Sequence, residues 1–133
     1  MYAFSEKSLS YQNKLKKFMD DHIYPNEEVY FQQLANAQNR FAPLPLVDEL
    51  KVKAQEQELW NLFIPPALSD FCDHDGLTNF EYAPLAEIMG RVLWSPEIFN
   101  CNAPDTGNME VFMKYGSPEH QENWLKPLLA GEI

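Results

Sequence analysis

The sequence predicts an all-α fold, an orthogonal or up-down bundle of about six helices. Apolar residues recur at helical spacing in successive stretches, signals for strands are few, and proline and glycine mark the ends of the predicted helices. The 133 residues are enough for one domain with its own core, and 45% of them are apolar. We therefore expect a single helical domain spanning residues 1–133.

The first half of the chain predicts three helices. The first carries one apolar face between Leu9 and Ile23, and Pro25 is expected to interrupt or bend it because proline has no N–H to donate. A third helix is expected to begin near Leu46, after a loop marked by Pro43 and Pro45. The apolar side of the second helix is formed by Val29, Tyr30, Leu34, Ala37 and Phe41. The solvated side of the third is formed by Asp48, Glu49, Glu56 and Glu58.

The middle of the chain combines an irregular segment with a well-marked helix start. Residues 62–79 are rich in proline, aspartate and glycine, which indicates irregular structure. Thr78 and Glu81 have the spacing of a capping box, in which each side chain accepts from a backbone N–H at the helix start. The helix is expected to end at Gly90, and Pro84 inside it costs about 3 kcal/mol unless packing compensates.

The last third of the chain contains two predicted N-terminal caps. Ser95-Pro96-Glu97 and Ser117-Pro118-Glu119 each combine a capping serine, a proline at the first helical position and an acidic first turn. A helix over Asn108–Tyr115 is expected to stop at Gly116, and the last helix at Gly131. The last helix brings together Trp124, Leu125, Leu128 and Leu129.

Charge and cysteine content limit the classes of partner and compartment. The formal net charge of −10 disfavours nucleic acid and anionic membranes as partners. No apolar run is long enough for a membrane span, and no apolar segment of a signal peptide follows the first residues. Cys72 and Cys101 are expected to be reduced thiols. We therefore expect a cytoplasmic protein.

Motifs for autonomous chemistry are not found in the sequence. The cluster from Cys72 to Asp75 suggests a metal site, but an EF-hand loop with its glycine at Gly76 would place Phe71 and Tyr82 where carboxylates are required. Further cysteine or histidine ligands at zinc spacing are also lacking. No nucleophile elbow and no glycine-rich phosphate loop are present. We expect no metal site and no catalytic residue in this chain.

The segment from Phe99 to Asn108 has an unusual polar content between two helices. Asn, Asp and Thr favour turns and helix caps, so one interpretation is a capped connection between helices, which the spacing alone favours. The other is the wall of a pocket, because small and polar residues let a ligand approach the backbone closely. The residue pattern leaves both interpretations open.

Taken together, these stretches resemble the N-terminal domain of the acyl-CoA dehydrogenase family. The resemblance is closest to a branch that includes enzymes fused to a kinase-like domain in animals. It is strong over residues 46–133, and the first two helices match only by pattern. The residues that carry it are Asn61–Pro65 (NLFIP), Gly76–Arg91 (GLTNFEYAPLAEIMGR), Ala103–Glu110 (APDTGNME), Tyr115–Ser117 (YGS) and Trp124–Ile133 (WLKPLLAGEI).

The resemblance implies a three-part FAD-dependent flavoprotein of fatty acid metabolism. Its parts are a helical N-terminal domain, a β-barrel-like middle domain and a C-terminal four-helix bundle. FAD lies between the latter two, and a glutamate of the C-terminal domain removes the α proton of an acyl-CoA substrate while flavin N5 accepts the β hydride. We expect this chain to stop at Ile133 before both later domains, to be inactive alone and to bind no FAD alone. The other domains and further copies, in a homo-oligomer, are the implied partners.

The same resemblance implies a set of residues that line the acyl-chain cavity. They lie in the stretch Ile98–Thr106 and are Phe99, Cys101, Asn102, Asp105 and Thr106. Relatives usually carry paired glycines ahead of the Thr78 helix, where this sequence has Leu68–Gly76, so the family pattern does not define the conformation of this loop. In a eukaryote the family also implies a mitochondrial or peroxisomal location.

Two alternatives to an enzyme domain remain open. One is a non-catalytic helical interaction module of the same descent, which binds a partner and carries no chemistry. The other is a four-helix carrier of acyl chains. That carrier needs a continuous apolar cavity, which ten prolines make hard to build from straight helices.

Overall fold

The computed structural model describes residues 3–39 and 41–133. Eight α-helical segments follow one another in this part of the chain, and no strand forms among the described residues. The α-helices are α1 (Glu6–Phe18), α2 (Glu27–Asn36), α3 (Pro45–Glu56), α4 (Asn79–Met89), α5 (Ser95–Ile98), α6 (Asp105–Tyr115), α7 (Pro118–His120) and α8 (Lys126–Ala130). The predicted all-α class is confirmed, and the short α5 and α7 account for the segments beyond six.

Two π-turns each end two residues before a proline. Helical backbone continues from α1 through a π-turn at Met19–Ile23 and a 3₁₀ turn at Tyr24–Asn26 into α2. A second π-turn at Gln121–Leu125 joins α7 to α8. Pro25 and Pro127 have no N–H for the carbonyl four residues back, and the wider turn accommodates the missing bond. The predicted interruption at Pro25 is therefore a local widening of the helix.

The larger part of the core is formed by side chains of α1, α3, α4 and α5 together with residues of the turns and loops between them. α1 packs along α4, and α3 packs on α5. We call this set the main core cluster; its fully buried members include Leu15, Phe18, Met19, Ile23, Leu50, Leu59, Leu62, Leu77, Leu85, Ile88, Ile98 and Phe99. A smaller, second core cluster lies under α6 and the second π-turn and consists of Phe63, Ile64, Met109, Met113 and Leu125.

The capping box predicted at α4 is present. Thr78 Oγ1 accepts from the Glu81 N–H at 3.3 Å, and Glu81 Oε2 accepts from the Thr78 N–H at 3.0 Å. Glu81 also joins α1 to α4. The Ser5 hydroxyl donates to Glu81 Oε1, and the Ser8 hydroxyl donates to the Glu81 backbone carbonyl. One acidic side chain thus starts α4 and fastens it to the beginning of α1.

Some predicted helix boundaries are wrong. The predicted cap at Ser95 does not form: Ser95 is the first residue of α5, and its buried hydroxyl donates to the Met89 carbonyl at the end of α4, which lacks a partner within its own helix. Phe41 lies beyond the end of α2 and is 87% exposed, so it does not share the predicted apolar face. Glu58 follows α3 in a left-handed conformation with φ of 56°.

Candidate functional site

The stretch predicted to line a cavity connects α5 to α6. The Ala103–Pro104 peptide bond is cis, and α6 begins at Asp105. The Asn102 carbonyl accepts from the Thr106 N–H at 3.1 Å, and the Asn102 side chain donates to Asp105 Oδ2 at 3.4 Å. The connection is therefore ordered by its own polar residues and places all five predicted residues within one turn and the first two positions of a helix.

Phe99 lies at the inner end of this connection, inside the main core cluster. Its ring is fully buried and meets the ring of Phe18 edge-on, with 5.2 Å between centroids. The Phe99 carbonyl accepts from the Asn61 N–H at 3.1 Å and from Cys101 Sγ at 3.3 Å. Phe99 thus anchors the connection to the core through both its ring and its backbone.

Cys101 lies where the two core clusters meet. It packs against both of them, as does Tyr82. Burial raises the pKa of the Cys101 thiol to about 11, and burial also raises the pKa of the Tyr82 hydroxyl. Both groups are neutral at physiological pH, so this pair presents a weakly polar, uncharged surface.

Asn102, Asp105 and Thr106 lie farther out and are only partly buried. Asn102 Oδ1 is inaccessible to solvent and has no hydrogen-bond partner within residues 3–39 and 41–133. Asp105 faces a cavity of about 450 Å³ between α2, α3, α5 and the chain end at Ile133. Lys51 and Glu97 form an ion pair of 3.0 Å in the same cavity. The structure therefore brings Phe99 and Cys101 to the core clusters and Asp105 to a different, polar cavity.

A buried amide network beneath this connection was not predicted from the sequence. Asn100 Nδ2 donates to Asn61 Oδ1 at 2.8 Å and to the Leu128 carbonyl at 2.9 Å. Asn61 Nδ2 and Trp60 Nε1 both donate to the Leu129 carbonyl, at 3.0 and 2.8 Å. These carbonyls belong to the last turn of α8, where the Leu128 carbonyl also accepts from the Gly131 N–H at 3.1 Å. Side chains from two distant loops therefore cap the end of α8.

The two asparagines of this network have left-handed backbones. φ is 55° at Asn61 and 52° at Asn100, a region that asparagine tolerates better than most residues. An Asn between two predicted helices is the only sequence signal for such a site, and it is shared by ordinary turns.

The loop from Cys72 to Asp75 forms no metal centre. Across the described part of the chain, no group of three or more His, Cys, Asp and Glu side chains is arranged to hold a metal ion. His74 instead folds back on its own loop and on Asn61, and Cys72 Sγ donates to the His74 carbonyl at 3.3 Å. The predicted irregular loop is thus held by internal hydrogen bonds.

The comparisons with known proteins agree with this architecture. The family described as "Acyl-CoA dehydrogenase, N-terminal domain" matches residues 5–132. A solved structure from Mycobacterium abscessus, assigned to the acyl-CoA dehydrogenases, superposes with a TM-score of 0.84 at 44% identity and covers 99% of this chain and 33% of its own. The chain belongs to the acyl-CoA dehydrogenase family and corresponds to its N-terminal domain.

Curated relatives are much longer than this chain. "Acyl-CoA dehydrogenase family member 10" of Mus musculus is 46% identical over 121 residues, which are 90% of this chain and 11% of the relative. "Probable acyl-CoA dehydrogenase FadE2" of Mycobacterium tuberculosis is 42% identical over 138 residues, covering 99% of this chain and 31% of the relative. The chain thus spans a third or less of these relatives. Among the described residues, no helix combines the length and the apolar character needed to cross a membrane.

Proposed function

We propose that this chain is the N-terminal part of an FAD-dependent enzyme that dehydrogenates acyl-CoA thioesters between the α and β carbons. The observation that carries the proposal is the family match over residues 5–132. Relatives named as acyl-CoA dehydrogenases, which align over nearly all of this chain, support it. The proposal places the enzyme in fatty acid metabolism, in the cytoplasm, or in mitochondria or peroxisomes of a eukaryote.

Within that enzyme, this domain contributes part of the wall of the acyl-chain cavity. The proposed residues are Phe99, Cys101, Asn102, Asp105 and Thr106. The neutral Tyr82–Cys101 pair supports the assignment, because uncharged and weakly polar groups are suited to contact an alkyl chain. The solvent-inaccessible and unpartnered Asn102 Oδ1 also supports it, because such an oxygen can accept a hydrogen bond from a ligand or a neighbouring domain.

The domain leaves the flavin to other parts of the enzyme. The five glycines, at 76, 90, 107, 116 and 131, are far apart in sequence and form no glycine-rich phosphate loop. The net charge of −10 and the carboxylates around the 450 Å³ cavity oppose a pyrophosphate. These residues do not fit FAD, so the chain alone binds no flavin and carries no catalytic step. The remaining domains and further copies of the enzyme are its partners.

The test is the visible absorption spectrum of the purified chain before and after incubation with FAD and desalting. We expect a colourless protein in both states. A flavin band that survives desalting would place the cofactor site in this chain and contradict the proposal that other domains bind the flavin.

A second experiment tests the family activity itself. The chain is expressed with the coding sequence that follows Ile133 in its gene, if the frame continues, and assayed with saturated acyl-CoA esters and an artificial electron acceptor. Flavin reduction by an acyl-CoA supports the enzyme. A flavin-free product that still binds a protein partner would support the interaction module of the same descent.

A further inference from the structure

His74 joins an exposed loop to the backbone of a distant segment through both nitrogens of its ring. The Gly76 N–H donates to Nδ1 at 3.0 Å, and Nε2 lies 3.2 Å from the Asn61 carbonyl oxygen. The histidine is half-buried between these partners. Asn61 belongs to the amide network that caps α8, so the loop is hydrogen-bonded to a residue that also caps the last turn of this helix.

These two contacts determine the protonation state of the ring. A nitrogen that accepts from the Gly76 N–H carries no proton of its own. The proton of the neutral ring therefore lies on Nε2, which donates it to the Asn61 carbonyl. A second proton on Nδ1 would point at the N–H of Gly76, so the protonated ring loses one hydrogen bond and faces a donor with a donor.

The charged groups around His74 act in opposite directions. Asp73 and Asp75, in the same loop, favour the protonated ring, whereas Lys7 on α1 disfavours it and donates to the Gly76 carbonyl. Tyr11, also on α1, and Cys72 in the loop are neutral neighbours, because burial raises the pKa of each. Burial outweighs the two aspartates and holds the pKa of His74 below its ordinary value.

We propose that His74 is a pH-sensitive latch: its neutral ring ties the Cys72–Gly76 loop to Asn61, and protonation of Nδ1 releases the loop. The inference rests on the two ring contacts and is independent of the proposed enzymatic function. The closed conformation of the loop requires glycine at position 76. Its φ is 74°, and a Cβ there would lie 2.5 Å from the backbone nitrogen of Pro66.

The direction of the pH effect follows from linkage. The closed loop binds the histidine proton more weakly than the open loop, where the ring has its ordinary pKa of 6.5. Closure is therefore fully favoured above pH 6.5 and weakens as the pH falls below it. A single proton raises the open population by at most about tenfold per pH unit.

Amide hydrogen exchange of the 133-residue chain between pH 7.5 and 5.5 tests the latch. After correction for the intrinsic exchange rate, protection of the Gly76 amide is expected to fall on acidification, towards a limit of about tenfold at pH 5.5. Protection of the Gly131 amide, which donates to the Leu128 carbonyl, is expected to stay constant as an internal reference.

Two variants separate His74 from histidine in general. In His74→Asn the side-chain oxygen still accepts from the Gly76 N–H but cannot be protonated, so the pH dependence should disappear. His120→Gln is the matched control, because glutamine keeps the Ser117 capping box and the dependence should remain. An unchanged pH dependence in His74→Asn, or constant protection in the wild type, overturns the proposal.

A spectroscopic measurement covers the case in which His74→Asn does not fold. Long-range ¹H–¹⁵N correlation spectra of the wild type distinguish which ring nitrogen carries the proton. A neutral His74 protonated at Nε2 at pH 7.5, becoming doubly protonated with loss of Gly76 protection, supports the latch. A neutral ring protonated at Nδ1 contradicts it.

Discussion

The side-chain amide of Asn100 donates a hydrogen bond to Oδ1 of Asn61 across 2.8 Å, although 39 positions separate the two residues in the chain. Both side chains are at least nine-tenths buried, and both backbones are left-handed. Their joint role is to hold two loops in register and to cap α8, which supports the connection proposed to line the acyl cavity.

Replacement of Asn100 is expected to destabilise the domain through two separable effects. Asn100→Gly removes the hydrogen bonds to Asn61 and Leu128 and should lower the free energy of unfolding by about 1–3 kcal/mol. Asn100→Ala loses the same hydrogen bonds and should cost about 1–2 kcal/mol more than Asn100→Gly, because alanine tolerates a φ of 52° less well than glycine or asparagine. Urea denaturation with an unchanged m-value measures both. Equal stability of the two variants would contradict the backbone contribution.

Two glycines provide an opposed pair of substitutions. At Gly131, φ is 75° and an added Cβ would lie 2.7 Å from the Trp60 ring, so Gly131→Ala should lower stability by about 1–3 kcal/mol. At Gly107 in α6 an added Cβ meets no atom within 4 Å, so Gly107→Ala should raise stability by about 0.4–1 kcal/mol. Thermal unfolding followed by circular dichroism measures both. The expectation fails if the two changes have the same sign.

The contact that Glu81 makes between α1 and α4 is expected to weaken in acid. Hydrogen bonds from the Thr78 N–H and the Ser5 hydroxyl hold the pKa of this carboxyl below its ordinary value of 4.5. Its stabilising contribution is therefore complete above pH 4.5 and is lost as the pH falls through the lower, folded-state pKa. Glu81→Gln keeps the capping geometry and removes the titration.

The measurement is the free energy of unfolding of wild type and Glu81→Gln as a function of pH. The difference between them should be constant above pH 5 and shrink below pH 4.5 in favour of the variant. Parallel curves over the whole range would show that Glu81 titrates with the same pKa in the folded and unfolded states.

Cys101 is expected to resist alkylation in the folded state. Burial raises the pKa of its thiol to about 11, so the reactive thiolate is scarce at pH 8, and the partly buried side chain packs against both core clusters. In a Cys72→Ser background, iodoacetamide labelling of Cys101 should be slow in buffer and rapid in 8 M urea. Mass spectrometry gives the rates, and fast labelling without urea would contradict the burial.

The isolated chain is expected to self-associate through apolar side chains at its surface. Leu93 is 97% exposed and Tyr115 is 81% exposed, and both are large apolar groups that further domains of the proposed enzyme would cover. Sedimentation velocity should show an average mass that rises with protein concentration, and Leu93→Asn combined with Tyr115→Ser should reduce the rise. A monomer at all concentrations would contradict this expectation.

Local signals were sufficient for most of the fold. The capping box at Thr78 and Glu81 and the stops at Gly90, Gly116 and Gly131 depend on residues within one turn of each other, and the structure confirms them. Before Pro25 the structure has a widened turn in a helical backbone that continues into α2. The Ser95 cap failed because α5 begins one residue earlier than predicted: Trp94 occupies the N-cap position, and the Ser95 hydroxyl donates to the Met89 carbonyl at the end of α4.

The candidate site was likewise predicted only in part. Family resemblance selected the segment from Phe99 to Thr106, and no residue pattern could show that Phe99 points into the core while Asp105 faces a cavity. The amide network was missed because Asn61 and Asn100 lie far apart, and each alone has the features of an ordinary turn. His74 was considered as a metal ligand, whereas its partners are two backbone groups that sequence does not reveal.

The contact between α1 and α4 also has a consequence for how the protein is made. Ser8 and its partner Glu81 are separated by 73 positions, so the apolar face of α1 leaves the ribosome well before the helix that covers it. At bacterial or eukaryotic speeds of translation the interval is about 4–15 s. Throughout that time Leu15 and Phe18 are accessible to chaperones, which gives the nascent chain a window of dependence on them that the finished domain does not have.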